Sequence, residues 1–452
     1  MKGKRLVLML MVFLLTAMLA FAGGQKEAEG GSGEGEQAEE MEKPFEGESI
    51  RFAVMADQFA DYTKTLSEDF EEMTGAEVKV DILGYTELYQ KITQDYATDS
   101  TQFVLATVDI MWTGEFAAKD WTMDLTPWIE RDKEEIDYDD ILDVTWTMGG
   151  WKGEQIAFPM AGYVNSLIYR TDLFNDPEEK EAFMDEYGYE LTTPENFDQM
   201  RDVASFFTRP DENLYGLVAN GARGPAVAQD WMEYMRGFGG QITDENNNVT
   251  IDSQACLDSL EFFVDIFEKW APKGAVGYWW DDRETSYRIG QSVMQSSWSI
   301  ARAGYEDSSI SKVVGKTGMA VTPRVEDVGA KYGVGGWGVG INADASEREK
   351  EIAWEFIKYI TGKEAQKKWM MNDGAPIRES TLKDPELREE MPWLEQMLTM
   401  FRNGDGDYRP RGPKSSEISS ILGLRVNQAI TNELSPEEAL DKAAQEIEEL
   451  YE

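Results

Sequence analysis

The sequence predicts an α/β protein made of two lobes, and three observations support this prediction. First, strand-like and helix-like segments alternate from Ser49 onwards, which is typical of a sheet covered by helices. Second, the chain has 452 residues, whereas a single hydrophobic core rarely grows beyond about 250–300 residues. Third, residues 156–174 combine a turn with a strand-like run, as expected where a chain leaves one lobe, passes a cleft and enters another.

The first lobe is predicted to begin with three strands separated by helices. Ser49–Met55 and Glu77–Leu83 have strand-like patterns, and residues 108–112 form a third short strand. Tyr85–Tyr96 is a predicted helix. This order indicates a parallel sheet, and ligands of such sheets bind beyond the carboxyl ends of the strands. We therefore expect the loops after the first and third strands to face a ligand.

Three segments are predicted to cross between the lobes. In the first, residues 159–162 contain Pro and Gly and form a predicted turn, and residues 164–169 form the strand that follows it. Taken alone, this pattern also fits an ordinary buried strand with a turn before it. Residues 318–323 and 373–378 are the second and third predicted crossings.

The amino terminus has the three parts of a secretory signal peptide, predicted to span residues 1–22. Residues 1–5 are basic, and residues 20–22 form a small-residue cleavage site. Between them, residues 6–19 are nearly all apolar but are short for a membrane span. Residues 23–48 are rich in Gly and Glu and are predicted to be a disordered acidic leader. Because residues 19–24, at the predicted cleavage site, contain no cysteine, we expect a soluble exported protein rather than a lipoprotein.

The composition excludes several classes of function. With 43 Lys and Arg against 86 Asp and Glu, the formal net charge is −43, so nucleic acid and anionic membrane surfaces are poor partners. The chain has no histidine, which removes Ser-His-Asp and Cys-His catalysis and every His-based metal site. Cys256 is the single cysteine, so no intrachain disulfide can form. No cofactor and no metal are expected.

A glycine-rich motif in residues 333–338 fits the pattern G-x-G-x-x-G. A dinucleotide site requires a helix after this motif. Here residues 339–342 continue as a strand-like run, so we reject a dinucleotide site.

Four segments in the same order resemble one known family. They are residues 156–174, residues 289–294 with the following Trp298, the glycine-rich run 332–342, and residues 353–366. Together they resemble the extracellular solute-binding proteins, family 1, which are sugar and polyol receptors of ATP-driven importers related to maltose-binding protein. The resemblance extends from about residue 50 to the carboxyl terminus.

The resemblance implies a type II periplasmic-binding-protein-like fold, with a cleft between the lobes and the three crossings as its hinge. Lobe 1 would comprise residues 49–161 and 318–376, and lobe 2 residues 162–317 and 377–452. The implied function is to bind a neutral sugar or polyol in the cleft, close over it, and deliver it to the permease of an ABC importer. The protein would be a periplasmic monomer without enzymatic activity.

The family also implies a set of ligand-binding residues in the cleft loops. Aromatic rings would cover the C–H faces of a sugar, while polar side chains would bond to its hydroxyls. These candidates are Asp57, Gln58, Trp112, Glu115, Tyr163, Asn165, Trp279, Trp280, Asp281, Trp298, Trp337 and Arg378.

Each candidate also has a structural explanation. Trp298 and Trp337 fit core positions as well as a ligand site, and Tyr163 fits a residue packed under the turn. Asp57 also fits a helix cap, and Arg378 a surface ion pair of little energetic value. Trp280 and Asp281 are favoured over the other candidates, since a buried aspartate next to two indoles would be costly without a polar partner.

Two other functions are compatible with the sequence. A secreted glycoside hydrolase would use paired carboxylates, such as Asp281 with Glu115, as acid and base. An adhesin or other interaction protein would bind a protein partner through the acidic surface. No sequence feature requires either function.

Overall fold

The computed structural model describes residues 43–57, 59–244, 248–329, 332–372 and 374–451. The predicted signal peptide, most of the predicted acidic leader and the candidate Gln58 lie outside these residues. Every helix in the described ranges is too short or too polar to traverse a lipid bilayer.

The strands and helices alternate along the chain, as the sequence predicts. The strands are β1 (Ser49–Met55), β2 (Glu77–Leu83), β3 (Leu105–Asp109), β4 (Gly150–Trp151), β5 (Glu154–Gln155), β6 (Phe158–Arg170), β7 (Tyr215–Val218), β8 (Ser292–Trp298), β9 (Thr317–Ala320), β10 (Tyr332–Ile341) and β11 (Gly404–Asp405). The helices are α1 (Ala60–Thr74), α2 (Tyr85–Tyr96), α3 (Thr113–Ala118), α4 (Thr126–Arg131), α5 (Thr171–Asn175), α6 (Pro177–Tyr187), α7 (Phe197–Phe206), α8 (Pro225–Gly237), α9 (Gln254–Asp265), α10 (Trp280–Arg288), α11 (Arg302–Glu306), α12 (Glu347–Thr361), α13 (Lys363–Met370), α14 (Glu379–Lys383), α15 (Pro385–Glu390), α16 (Leu394–Arg402), α17 (Ser415–Ile430) and α18 (Pro436–Glu449).

The main sheet has the strand order β2-β1-β3-β10-β6-β8-β7, with β11 paired to β10 and β9 to β6. The predicted parallel pairing is confirmed for β1 with β2 and β1 with β3. In the middle of the sheet, for which the sequence gives no strand direction, β10 runs antiparallel to both β3 and β6. The sheet is therefore mixed, because β10 lies between β3 and β6 and runs antiparallel to both.

The third strand ends earlier than predicted. β3 finishes at Asp109, and a 3₁₀ turn follows at Ile110–Trp112 where the sequence predicts more strand. The Asp109 carboxylate accepts a hydrogen bond from the backbone N–H of Met111 at 2.8 Å, which caps this turn. The cap breaks the strand and turns Trp112 towards the carboxyl edge of the sheet.

The predicted turn at residues 159–162 is wrong, because β6 continues without a break from Phe158 to Arg170. Ala161 pairs with Trp337, whereas Pro159 pairs with the next residue, Gly338, so β6 has one extra residue at this point. Such a bulge tolerates proline, which has no N–H to donate. The signals of a turn in the sequence therefore mark an irregularity within a long strand.

Strand β6 joins the two ends of the sheet. Its first half pairs with β10, and its second half pairs with β8 and β9. The glycine-rich motif is extended, as predicted, because β10 runs on to Ile341. Within β10, Gly336 has φ +143°, and a Cβ there would lie 2.1 Å from the carbonyl oxygen of Ala161. Only glycine therefore allows β10 and β6 to approach each other at this position.

Aromatic side chains pack the core at both ends of the sheet. Phe356 on α12 contacts Phe52 and Phe70, with ring centroids 6.1 and 5.2 Å apart. At the other end, Phe262 on α9 packs 5.0 Å from Phe197. Edge contacts of this kind are favourable beyond the apolar area that they bury.

The packed part of the chain begins before Ser49, within the segment predicted as a leader. Phe45 is buried, and its N–H donates to the carbonyl of Thr74 at 2.9 Å. The guanidinium of Arg348 lies 4.7 Å from the centre of the Phe45 ring.

Candidate functional site

Four aromatic side chains meet at the carboxyl edge of β1 and β3. Tyr85, the first residue of α2, lies with its ring centroid 5.1 Å from Trp112, 5.8 Å from Trp280 and 5.9 Å from Trp337. Trp112 and Trp337 are also 5.5 Å apart. We call Tyr85, Trp112, Trp280 and Trp337 the aromatic cluster. Its members come from four separate elements, so it exists only in the folded chain.

A buried carboxylate and a buried arginine adjoin the aromatic cluster. Asp109 lies directly opposite Trp337 in the pairing of β3 with β10. Burial raises the pKa of the Asp109 carboxyl above its ordinary value, although the nearby Arg409 charge acts in the opposite direction. Arg409 is only 4% exposed, and its guanidinium lies 5.1 Å from the centre of the Trp298 ring. Besides this cation–π contact, Nη2 of Arg409 donates to the carbonyl of Val334 at 3.3 Å.

A second carboxylate lies beside the same group of residues. The hydroxyl of Tyr163 donates to Asp57 at 3.2 Å. Burial and the charges of Asp57 and Asp109 raise the pKa of Tyr163 well above its ordinary value, so the hydroxyl remains a donor. The three residues follow or belong to β1, β3 and β6. Because the carboxyl ends of β1 and β3 share one edge, the two acids lie close together there.

Several buried polar atoms, in the aromatic cluster or on segments that pack against its neighbours, have no hydrogen-bond partner among the described residues. They are Nε of Arg409, Nε1 of Trp280, and both Nδ2 and Oδ1 of Asn220. Asn220 is 0% exposed and follows β7, beside the end of β8 that leads to Trp298. A buried polar group without a partner costs about 1–3 kcal/mol. A bound molecule with both donors and acceptors would remove this cost.

The segment that brings Arg409 to the site is anchored on both sides. Upstream, β11 pairs with β10, and the hydroxyl of Tyr408 donates to the buried carboxylate of Glu233. Downstream, Nη1 of Arg411 donates to the carbonyl of Thr147 at 2.6 Å. These contacts hold the backbone of Arg409 in place without using the Arg409 guanidinium.

Half of the predicted site residues are brought together by the fold. Tyr163 and Trp298 lie edge to face at 6.0 Å, and Trp298 carries the Arg409 guanidinium. The predicted residues found in or beside the aromatic cluster are Asp57, Trp112, Tyr163, Trp280, Trp298 and Trp337.

Glu115, Asn165 and Arg378 have other partners. Glu115 accepts from the hydroxyl of Tyr89 at 2.8 Å and pairs with Lys119 at 2.6 Å. Asn165 accepts from the Ser296 hydroxyl on the neighbouring strand at 2.6 Å. Arg378 is buried rather than on the surface, and its contacts are described next.

The guanidinium of Arg378 contacts backbone carbonyls and one carboxylate. Its Nε donates to the carbonyl of Thr361 at 2.5 Å, and Nη2 donates to the carbonyl of Ile136 at 2.8 Å. Nη1 lies 3.3 Å from the Asp140 carboxylate. These bonds give Arg378 a structural role. That Arg378 also binds the ligand stays a prediction.

The two predicted residues next to Trp280 are Trp279 and Asp281. Asp281 is exposed on the first turn of α10, so the argument that applies to a buried carboxylate does not apply to it. The carboxylate of Asp282 accepts from the N–H of Trp279 at 3.0 Å and caps the helix. Trp279 is half-buried and packs edge-on against Trp280. An acidic first turn stabilises the amino terminus of the helix that carries Trp280.

Tyr85, Asp109, Asn220 and Arg409 were not predicted. Asp109 was missed because it fell inside the predicted third strand, and its position before a cap was the signal that could have revealed it. Arg409 follows the last family-like segment and has no sequence signal that connects it to a site. Among the described residues, no three acidic or cysteine side chains lie close enough together to hold a metal ion.

Replacing Gly335 by alanine is expected to weaken ligand binding by about tenfold, because one methyl group would displace two site residues. A Cβ at Gly335 would lie 2.8 Å from the ring of Trp298 and 2.9 Å from Nη2 of Arg409. The test is calorimetry, which gives the dissociation constant of each variant for the ligand that the unmodified protein binds most tightly. Gly277→Ala is the matched control, because a Cβ at Gly277 meets nothing within 4 Å. Equal affinity of the two variants would contradict the expectation.

The fold and the site together define a class of protein. A mixed α/β architecture brings aromatic rings and unpartnered polar atoms from distant parts of the chain to one buried place, as in proteins that enclose a small solute. The sequence pattern of the family described as bacterial extracellular solute-binding protein matches residues 53–367, and the chain belongs to this family. The fold is the two-lobe, type II fold of periplasmic binding proteins.

Three similar proteins illustrate this membership. A solute-binding protein of an ABC transporter from Agrobacterium radiobacter K84, solved in complex with ribitol, is 38% identical, with a TM-score of 0.84 over 90% of this chain and 100% of that chain. The mannitol-binding protein of Pseudomonas aeruginosa is 25% identical over 84% of this chain and 88% of its own. A probable amino-acid ABC transporter periplasmic-binding protein of Sinorhizobium fredii is 23% identical over 91% of each chain.

Proposed function

We propose that this protein binds a neutral sugar alcohol or sugar between its two lobes and delivers it to the permease of an ABC importer. The observation that carries the proposal is the group of buried, unpartnered polar atoms beside the aromatic cluster. A polyol has hydroxyls that donate and accept at once, which suits Nε of Arg409 and both atoms of the Asn220 amide.

The charges at the site favour a neutral ligand over an anion. Asp57 and Asp109 provide acceptors for hydroxyl protons, while Arg409 provides donors. An anionic ligand would meet two carboxylates close to one guanidinium, and like charges in a buried site are costly. The indole faces supply apolar area for the C–H groups of the carbon chain.

The ligands of similar proteins agree with this chemistry. The structure from Agrobacterium radiobacter K84 contains ribitol, and the Pseudomonas aeruginosa protein binds mannitol according to its name. Both ligands are acyclic sugar alcohols. The Sinorhizobium fredii relative is instead named for amino acids, so amino acids belong in the test.

In this proposal the two lobes have the predicted boundaries and close over the ligand by a hinge motion. Tyr85 of lobe 1 then meets Trp280 of lobe 2 at 5.8 Å, and Glu115 of lobe 1 accepts from the Ser416 hydroxyl of lobe 2 at 2.9 Å. These contacts correspond to the closed conformation. The protein acts as a periplasmic monomer, and the family consists of binding proteins rather than enzymes.

Titration with ribitol, erythritol or mannitol is expected to shift the intrinsic tryptophan fluorescence, because four indoles surround the proposed site. The same titration is run with glucose, maltose, longer maltodextrins and a set of amino acids. A response to amino acids alone would contradict the proposal, as would silence towards every alditol and sugar. Calorimetry of the responding ligands then gives their dissociation constants.

A further inference from the structure

A cavity of about 430 Å³ opens directly beside the aromatic cluster. Tyr85 and Trp112 are members of the aromatic cluster and also line the cavity. Its volume falls within the range of roughly 300–1,000 Å³ typical of small-molecule sites. Tyr85 and Trp112 therefore form a wall between the proposed ligand site and a second space.

The floor of this cavity is aromatic. Tyr85, Tyr89 and Trp112 line it, and Tyr89 and Trp112 lie 5.0 Å apart. The hydroxyl of Tyr89 donates to Glu115 at 2.8 Å, which fixes the orientation of its ring. A fixed aromatic floor suits the C–H face of a sugar ring.

The opposite wall of the cavity has hydroxyls and one cation. Ser416, Ser419 and Ser420 lie on one face of α17, and Arg223 precedes α8. None of the described lining residues is a carboxylate, in a chain whose net charge is −43. Serine hydroxyls and a guanidinium bind pairs of adjacent sugar hydroxyls. A small inorganic anion would gain nothing from the aromatic floor, so a neutral sugar ring fits the whole lining better.

We infer that this cavity is a second subsite, which takes one glycosyl residue attached to the polyol. The inference rests on the proposed function, because the polyol part of the same ligand occupies the aromatic cluster. The ligand class is then a glycosylated sugar alcohol. Its glycosyl ring lies over Tyr89 and Trp112, and its hydroxyls face α17.

The inference is tested by calorimetry with matched pairs of ligands, D-glucitol with maltitol and mannitol with glucosyl-mannitol. Maltitol and glucosyl-mannitol carry one additional glucosyl unit each. We expect each of these to bind at least about tenfold more tightly than its free alditol, because stacking and hydrogen bonds are added. Ser419→Trp is expected to abolish this gain by filling the cavity, and to change the affinity for the free alditol by less than about twofold.

Two further variants make the result specific. Glu417→Trp is the matched control, since Glu417 is an exposed residue of the same helix outside the cavity, and it should behave as the unmodified protein. Thr86→Trp fills the cavity from the opposite wall, so it should reproduce the effect of Ser419→Trp even if that variant folds poorly. Thermal unfolding of each variant checks its fold.

The possible outcomes separate the two proposals. If free alditols bind and glucosyl-alditols bind no better, the subsite is wrong while the proposed function stands. If Ser419→Trp and Thr86→Trp lost affinity equally for free alditols and for glucosyl-alditols, the subsite would also be wrong. If a phosphorylated alditol alone gained affinity through Arg223, the cavity would be an anion site instead. Failure of every alditol and glucosyl-alditol to bind would overturn both the proposed function and the subsite.

Discussion

Replacing Arg409 by glutamine is expected to weaken polyol binding by at least about 100-fold, or about 3 kcal/mol, since the variant loses a buried positive charge near a buried carboxylate. Three effects act together. The ligand loses the donor at Nε, the stacking partner of Trp298 is gone, and Asp109 remains buried without a countercharge. Calorimetry with ribitol or mannitol measures the loss.

The control for this variant is Arg402→Gln. Arg402 is close to Arg409 in the sequence but lies on the surface of the protein. Arg402 is 53% exposed in its side chain and pairs with Glu379 at 2.7 Å. An exposed ion pair of this kind contributes about 0–1 kcal/mol, so binding should be unchanged. Far-ultraviolet circular dichroism verifies that both variants are folded. If Arg409→Gln bound polyols as well as Arg402→Gln does, Arg409 would not belong to the site.

The second large effect is expected on stability. Asp230→Ala should lower the free energy of unfolding by about 3 kcal/mol, because it removes a partner of a buried arginine. Arg283 is only 1% exposed, and its Nη1 donates to both carboxylate oxygens of Asp230 at 2.7 and 2.8 Å. Glu284 pairs with Arg283 from the other side at 2.7 Å. Without Asp230, Arg283 loses two hydrogen bonds inside this buried network and keeps the ion pair with Glu284.

This network also supports the ligand site. The N–H of Asn220 donates to Asp230 at 2.8 Å, and Arg283 lies one turn after Trp280 on α10. Asp230→Ala is therefore expected to weaken ligand binding as well, through misplacement of Asn220 and Trp280. Asp230 acts here as a positioning residue, so its effect on binding should be smaller than that of Arg409→Gln.

Urea denaturation followed by circular dichroism measures the stability change. The matched control is Asp198→Ala, which removes another aspartate–arginine pair, with Arg201 at 3.1 Å. The side chain of Asp198 is 95% exposed, so its loss should cost less than about 1 kcal/mol. Similar losses in both variants would show that burial of the Asp230 pair has no special importance.

Much of the fold could be predicted from local patterns. Strands β1 and β2 and helix α2 have the predicted boundaries, because hydrophobic periodicity and turn residues are local properties of the sequence. The errors arose where tertiary contacts override local signals. Pro159 lies within β6 because a bulge opposite β10 accommodates it, and neither strand alone reveals this bulge.

The aromatic part of the site was easier to predict than the polar part. Trp337 belongs to a segment that resembles the family, and Trp112 and Trp280 are among the ligand-binding residues that the resemblance implies. Asn220 and Arg409 have no such signal, since one follows a short strand and the other lies in an irregular segment near the carboxyl terminus. Arg378 was predicted as a ligand residue but is bonded to backbone carbonyls, which sequence alone does not show.

The sequence by itself determined the alternation of strands and helices and the membership of the solute-binding family. Only the tertiary structure decided which polar groups share the site. Asp109, Asn220 and Arg409 are far apart in the chain, and the elements that carry or precede them come together only because their strands belong to one sheet. That order depends on pairing between distant strands, whose energy comes from contacts that no local pattern contains.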